Sequence, residues 1–171
     1  MPPMSEWLKI LVSALAGMMT GAALEPLKHQ IRLRMVAGKA KRGIHSELAR
    51  VYYFMNQGQS LPEKFSTTAL SRMVFDTFDY FYTQERESFY LLERHHDIAG
   101  LYRELRLIQE EVRCGRVSGG QGARDFCSAI DLRLECRSLD KELFDREVNE
   151  YKKDLVPFQN ANWCSSTPGR F

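Results

Sequence analysis

The feature that most constrains this chain is an uncharged apolar segment near its amino terminus. Fifteen consecutive residues, Ile10–Leu24, carry no charged side chain. A membrane-spanning helix needs about 20 apolar residues, because each residue adds about 1.5 Å along the helix axis. Trp7 and Leu8 extend the segment to eighteen residues with Lys9 inside it, and a lysine near a helix end can reach the headgroups. The segment predicts one N-terminal transmembrane helix, with Trp7 as an interfacial anchor.

Two other interpretations of this segment stay open. The small residues around Gly21 suit the cleavage site of a signal peptide, although Met1–Lys9 offers one lysine against one glutamate as its charged start. An apolar run of this length also suits a buried helix of a soluble protein. A retained anchor is the favoured interpretation, and Pro26 suits the point where the chain leaves the membrane.

The charge that follows the segment gives the anchor a direction. Residues 28–50 contain seven lysines and arginines and one acid, a charge of +6, whereas the rest of the chain carries −4. Basic residues that flank a span stay in the cytosol. We therefore predict an N-terminus outside the cell (inner) membrane and a cytosolic body. The residues expected to set topology or to bind anionic lipid headgroups are Lys28, Arg32, Arg34, Lys39, Lys41 and Arg42.

Three small residues inside the segment predict contact between membrane helices. Ser13, Gly17 and Gly21 follow at four-residue spacing, which places them on one face of a helix. Such faces let two helix backbones approach closely in lipid. The predicted partner is a second copy of the chain or the span of another protein.

Beyond the segment, apolar residues recur with helical spacing, so the expected fold class is all-α. We expect an anchor at 1–27, a basic juxtamembrane amphipathic helix at 28–57 that is either continuous or broken near Gly38 or Gly43, a helical cytosolic body at 58–156 and a flexible tail at 157–171. A bundle or a helical hairpin fits the body. Its core is predicted to contain Phe75, Phe78, Tyr82, Phe89, Leu92 and Ala99.

One part of the body leaves its secondary structure open. Ile130–Cys136 alternates apolar and charged residues strictly, which is the period of a half-buried strand. A small β-hairpin within 112–136, pairing it with Val112–Val117, is the alternative to the favoured helix. Ser138 is predicted to cap a last helix that runs to about Leu155.

The sequence contains no strong catalytic or ligand-binding motif. Glu93 and His96 form a single E-x-x-H, whereas a di-iron bundle needs two such motifs and further glutamates. Asp76 and Asp79 form an acid pair without a predicted nucleophile. The four cysteines include no C-x-x-C pair, and the glycine-rich residues 115–122 lack the lysine of a phosphate-binding loop. We predict no cofactor and no metal site.

These observations predict a membrane-anchored helical protein that acts by binding a protein partner, as a scaffold, adaptor or regulator. Enzyme activity is not expected, but a membrane-tethered enzyme with a site around Glu93 and His96 is one alternative. A nucleic-acid binder that uses residues 28–50 is the other, although the isoelectric point of about 8.3 lies below the value of about 9 typical of such domains.

Overall fold

A computed structural model describes residues 4–58 and 63–160 of the chain. Within these two ranges every regular element is a helix and there is no strand, which confirms the predicted all-α bundle. The helices are α1 (Met4–Gly58), α2 (Glu63–Ser71), α3 (Asp76–Thr83), α4 (Arg86–Tyr90), α5 (His95–Arg113), α6 (Gly119–Glu135) and α7 (Lys141–Asn160).

Helix α1 is far longer than any single predicted element. It runs without interruption past Gly38 and Gly43, so neither glycine breaks the helix, and it also continues past Pro26. Proline removes one N–H donor from a helix, and each glycine costs about 1 kcal/mol relative to alanine. Packing offsets the glycine cost, because α1 contacts α2, α3, α4, α6 and α7. One helix thus crosses the expected domain boundary at residue 27.

The second half of α1 forms one wall of the core. Six of its buried apolar side chains recur every three or four residues, namely Ala37, Ala40, Ile44, Leu48, Val51 and Met55. This spacing gives one apolar stripe that faces α6 and α7. Across the described ranges, 4–58 and 63–160, no helix has both the length and the apolar character needed to cross a membrane.

Aromatic rings fill the centre of the bundle. Phe78 of α3 stacks on Tyr102 of α5 with ring centroids 3.9 Å apart, and its edge-on contact with Phe89 spans 5.8 Å. Phe75 lies against Tyr102 and Phe126. Four of the six predicted core residues are buried, namely Phe75, Phe78, Phe89 and Leu92, whereas Tyr82 is exposed and Ala99 is half-buried.

The β-hairpin alternative was wrong. Residues 130–135 belong to α6, and Val112 lies in α5. Helix α6 buries residues at helical spacing, among them Ala123, Phe126 and Ile130, while Leu132 stays exposed. Over so few residues, strict alternation of apolar and charged side chains also occurs in a helix at the border between its buried and exposed faces. A lone hairpin would also leave ladder groups without partners.

The glycine-rich residues 115–122 form a close helix contact. Gly119 and Gly122 are buried at the start of α6, and a Cβ atom on either would clash with Thr67 of α2 or Val112 of α5. Ser118 caps α6, since its hydroxyl accepts a hydrogen bond from the N–H of Gln121. These glycines therefore allow α6 to approach its neighbours.

The cap of α7 differs from the prediction. The Asp140 carboxylate accepts the N–H of Leu143 at 3.1 Å and so caps this helix. The Ser138 hydroxyl instead donates to Asp97 of α5 at 2.9 Å. Helix α7 continues to Asn160, beyond the predicted end near Leu155, and the rest of the expected tail, 161–171, lies outside the described residues.

Candidate functional site

Helix α1 has two halves with different surroundings. Residues 4–35 form the arm, and residues 36–58 form the base. Ten large apolar side chains of the arm are between 47% and 66% exposed, namely Trp7, Leu8, Ile10, Leu11, Val12, Leu15, Leu24, Leu27, Ile31 and Met35. At 100° per residue, those from Trp7 to Leu27 point to all sides of the helix. The arm therefore presents apolar surface on all sides, and the rest of the bundle does not cover these side chains.

The predicted pairing face lies on this arm. Ser13, Gly17 and Gly21 are all exposed and follow one another on the same side of α1. A Cβ atom on Gly17 or Gly21 would meet no heavy atom within 4 Å. The face is therefore accessible to another helix, and its pairing stays a prediction.

The predicted basic residues divide between the arm and the base. Lys28, Arg32, Arg34, Lys39 and Arg42 are exposed. Lys41 is also exposed, but its ammonium donates to the Asp140 carboxylate at 2.6 Å. That contact holds the pKa of Asp140 below its usual value. Five of the six cations thus face solvent and one ties α1 to α7, and their action on topology or lipid stays a prediction.

A large cleft lies where the base meets the segment between α6 and α7. Its volume is about 870 Å³. Its polar lining mixes both charges and includes Lys41, His45, Glu93, Arg94, Arg137 and Asp140. Arg94 and Arg137 both have left-handed backbone, with φ of 59° and 55°. Arg137 does so because it ends α6, where the N–H of Ser138 returns to the carbonyl of Arg133 in a Schellman turn.

His45 lies at the bottom of this cleft and connects two helices. Its Nδ1 donates to the Lys41 carbonyl at 2.7 Å, and its Nε2 accepts the N–H of Asp140 at 2.9 Å. A ring that accepts through Nε2 is neutral. Burial lowers the pKa of His45 below its ordinary value, which favours the same neutral form. His45 therefore serves the packing of α7 onto α1.

Glu47, two residues further along the base, is buried, with 4% of its surface exposed. Its carboxylate accepts the N–H groups of Thr77 and Phe78 at 2.8 and 3.3 Å, so α1 supplies the cap for α3. It also accepts the Tyr102 hydroxyl at 2.8 Å. Burial first, and then this carboxylate, raise the pKa of Tyr102 well above its usual value. Sequence reasoning missed both Glu47 and His45, because their partners lie 30 residues or more away in the chain.

The residues expected to form an enzyme site are not brought together. Glu93 and His96 are exposed at the start of α5, and only Glu93 lines the large cleft. Asp76 is exposed, while Asp79 forms an ion pair with Arg106. Among the described residues no group of His, Cys, Asp and Glu has the geometry to hold a metal ion.

No protein-family model, curated protein or solved structure matches this chain. Function is therefore inferred from the residues themselves, and the exposed arm is the feature that the packing of the bundle does not explain.

Proposed function

We propose that this chain is a single-pass membrane protein whose arm anchors a helical bundle that binds a protein partner. The observation that carries the proposal is the exposure of apolar side chains on every side of the arm. A helix that meets a protein partner needs one apolar face, whereas a helix that is apolar all round suits lipid. The distribution of these side chains therefore favours lipid over a protein groove.

The length of the arm fixes how it would sit in a bilayer. Ile10–Leu24 extends about 22 Å at 1.5 Å per residue, which is shorter than a hydrocarbon core of about 30 Å. With Trp7–Lys9 the helix reaches about 27 Å, the thickness of a thin bilayer. Insertion would thus require Lys9 to extend its ammonium to the headgroups and Trp7 to lie at the interface.

The exposed cations after the apolar segment support an orientation. Lys28, Arg32 and Arg34 project into solvent just beyond Leu24. A polybasic flank favours the cytosolic side and attracts anionic headgroups. The proposal therefore keeps the short N-terminus outside the cell membrane and the bundle in the cytosol.

Binding is the favoured activity of the bundle, because the buried side chains of His45 and Glu47 already have structural partners. His45 and Glu47 bond to backbone or side chains of neighbouring helices. Exposed apolar side chains such as Phe65, Leu107 and Leu132 offer contact area for a protein instead.

Membrane fractionation tests the anchor. We expect the full chain to stay with membranes in a carbonate wash, and the Leu11→Glu/Leu15→Glu variant to be released. Leu91→Glu is the matched control, because Leu91 is about as exposed as these residues but lies after α4. Release of the intact wild-type chain by carbonate would exclude the anchor.

Protease access tests the orientation separately. Protease added to the cytosolic side should digest the bundle and spare a tag on the N-terminus. Protection of the bundle from that side would reverse the assignment. In mild detergent, an unchanged oligomeric state of Gly17→Leu/Gly21→Leu would count against pairing through the arm.

A further inference from the structure

The last turns of the arm carry an apolar stripe that the bundle does not use. Leu27, Ile31 and Met35 follow at four-residue spacing and are 52%, 51% and 63% exposed. The buried side of α1, represented by Ala37, Ala40 and Ile44, points the opposite way around the helix. This stripe therefore faces away from the chain's own core.

Cations border the stripe on both edges. By helical geometry, Lys28 and Arg32 lie along one edge and Arg34 along the other. An apolar line between two basic edges is the pattern of a helix that docks into an apolar groove with acidic rims.

The bundle contains such a groove between α5 and α6. Its volume is about 460 Å³, and apolar side chains, including exposed Leu107 and Leu132, form its floor. Its charged lining residues are all acids, namely Glu104, Glu111 and Asp125. The groove therefore matches the stripe in both apolar character and charge.

Two of the acids already contact arginines. Glu111 accepts both guanidinium contacts of Arg116 at 2.8 and 2.9 Å, and Glu104 lies 3.3 Å from Arg133. Both acids remain more than 40% exposed, and exposed ion pairs contribute little to stability, so a docked cation can share them. Asp125 accepts only a neutral amide, that of Gln121, among its described contacts.

The two surfaces also agree in length. From Leu27 to Met35 the helix rises about 12 Å, and from Glu104 to Glu111 it rises about 10 Å. Three side chains of the stripe thus extend over nearly the same distance as the acidic rim.

We propose that the stripe of one copy docks into the α5–α6 groove of a second copy. An anionic membrane, which would also cover the stripe, leaves the acidic groove without a partner, whereas a second copy satisfies both surfaces. The contact joins two different patches of the chain, so it is heterologous. It does not depend on insertion of the arm, because the stripe begins after the uncharged segment.

Charge exchange between copies tests this contact in the full chain, kept in a non-ionic detergent. One variant reverses the stripe, Lys28→Glu/Arg34→Glu, and another reverses the groove, Glu111→Lys/Asp125→Lys. In sedimentation velocity, each variant alone should self-associate about tenfold more weakly than the wild type. An equimolar mixture of the two should associate again, because only the mixture contains complementary surfaces: an acidic stripe with a basic groove, and an unmodified stripe with an unmodified groove.

Three controls make the test specific. Leu107→Gln should weaken association, whereas Leu91→Gln, at a similarly exposed leucine after α4, should not. These neutral variants also keep the proposal testable if a charge variant fails to fold, which circular dichroism would reveal. The series is repeated with Gly17→Leu/Gly21→Leu, so that pairing through the arm cannot account for the result. Three outcomes would each overturn the proposal. The wild type could be monomeric, the groove variants could self-associate as strongly as the wild type, or the mixture could stay dissociated.

Discussion

The two halves of α1 belong to one unbroken helix, yet they are stabilised in different ways. In the base, residues such as Ile44 and Leu48 have no exposed surface. In the arm, Leu8, Leu11 and Leu15 are more than half exposed. Burial of a leucine side chain contributes about 1.5–3 kcal/mol, so the base is held by the bundle itself. The arm gains no such contribution from its own chain, and its apolar surface is available to lipid or to another molecule.

Matched leucines give the largest expected contrast between the halves. Leu48→Ala should lower the free energy of unfolding by about 3 kcal/mol, because it leaves a cavity in a packed core. Leu15→Ala should change it by less than about 0.5 kcal/mol. Urea denaturation followed by circular dichroism measures both. Equal losses in the two variants would show that the arm packs against the bundle.

Matched glutamates test the polar contacts of the base. Glu47→Gln should cost about 2 kcal/mol, because the amide places an N–H₂ group where Thr77, Phe78 or Tyr102 donates. Glu25→Gln on the exposed arm should have almost no effect. Urea denaturation again measures the change. An unchanged free energy of unfolding in Glu47→Gln would contradict the role of this carboxylate as the cap of α3.

The buried histidine of the base should make the stability of the fold depend on pH. Because the pKa of His45 is lowered in the folded chain, the unfolded chain binds more protons below about pH 6.5. Stability should therefore fall as the pH drops from about 6.5 to 5, with a slope of at most about 1.4 kcal/mol per pH unit for one proton. His45→Gln should reduce this slope, because it removes the buried group that must take up the proton. Thermal melts across this pH range measure the slope. An unchanged slope in His45→Gln would contradict the assignment of a neutral His45 ring in the folded chain.

Matched glycines within the base give the smallest effect. A Cβ atom on Gly38 would meet nothing within 4 Å, whereas one on Gly43 would lie 2.9 Å from Thr77 Cγ2. Gly38→Ala should stabilise the chain by about 0.5–1 kcal/mol through helix propensity. Gly43→Ala should lose that gain to the contact with α3. A higher melting temperature for both variants would show that α3 yields at this point.

The sequence predicted those features that depend on local pattern. The helical fold class and four of six core residues followed from spacing alone, because a buried helix face repeats every three or four residues. The continuity of α1 through Pro26 and the glycines did not follow. Local propensity marks those residues as breaks, whereas at the glycines the packing of Ala40 and Ile44 against distant helices stabilises the helix.

The polar contacts were beyond sequence reasoning for a related reason. Glu47 meets Tyr102 across 55 residues, and His45 meets Asp140 across 95. Nothing in the neighbouring sequence marks either residue as buried. Glu47 is the one acid within the basic residues 28–50, which suggests an exposed side chain. The arm was the opposite case, since its apolar segment and basic flank are contiguous in the chain. Its exposure, however, required the fold.

The continuity of α1 also has a mechanical consequence. Because no loop separates the arm from the base, the helix acts as a stiff lever that extends about 51 Å from Leu24 to Gly58. A change of about 10° in the tilt of the arm moves the far end by about 9 Å if the rod stays rigid. The tilt angle of the arm thus determines the orientation of the bundle.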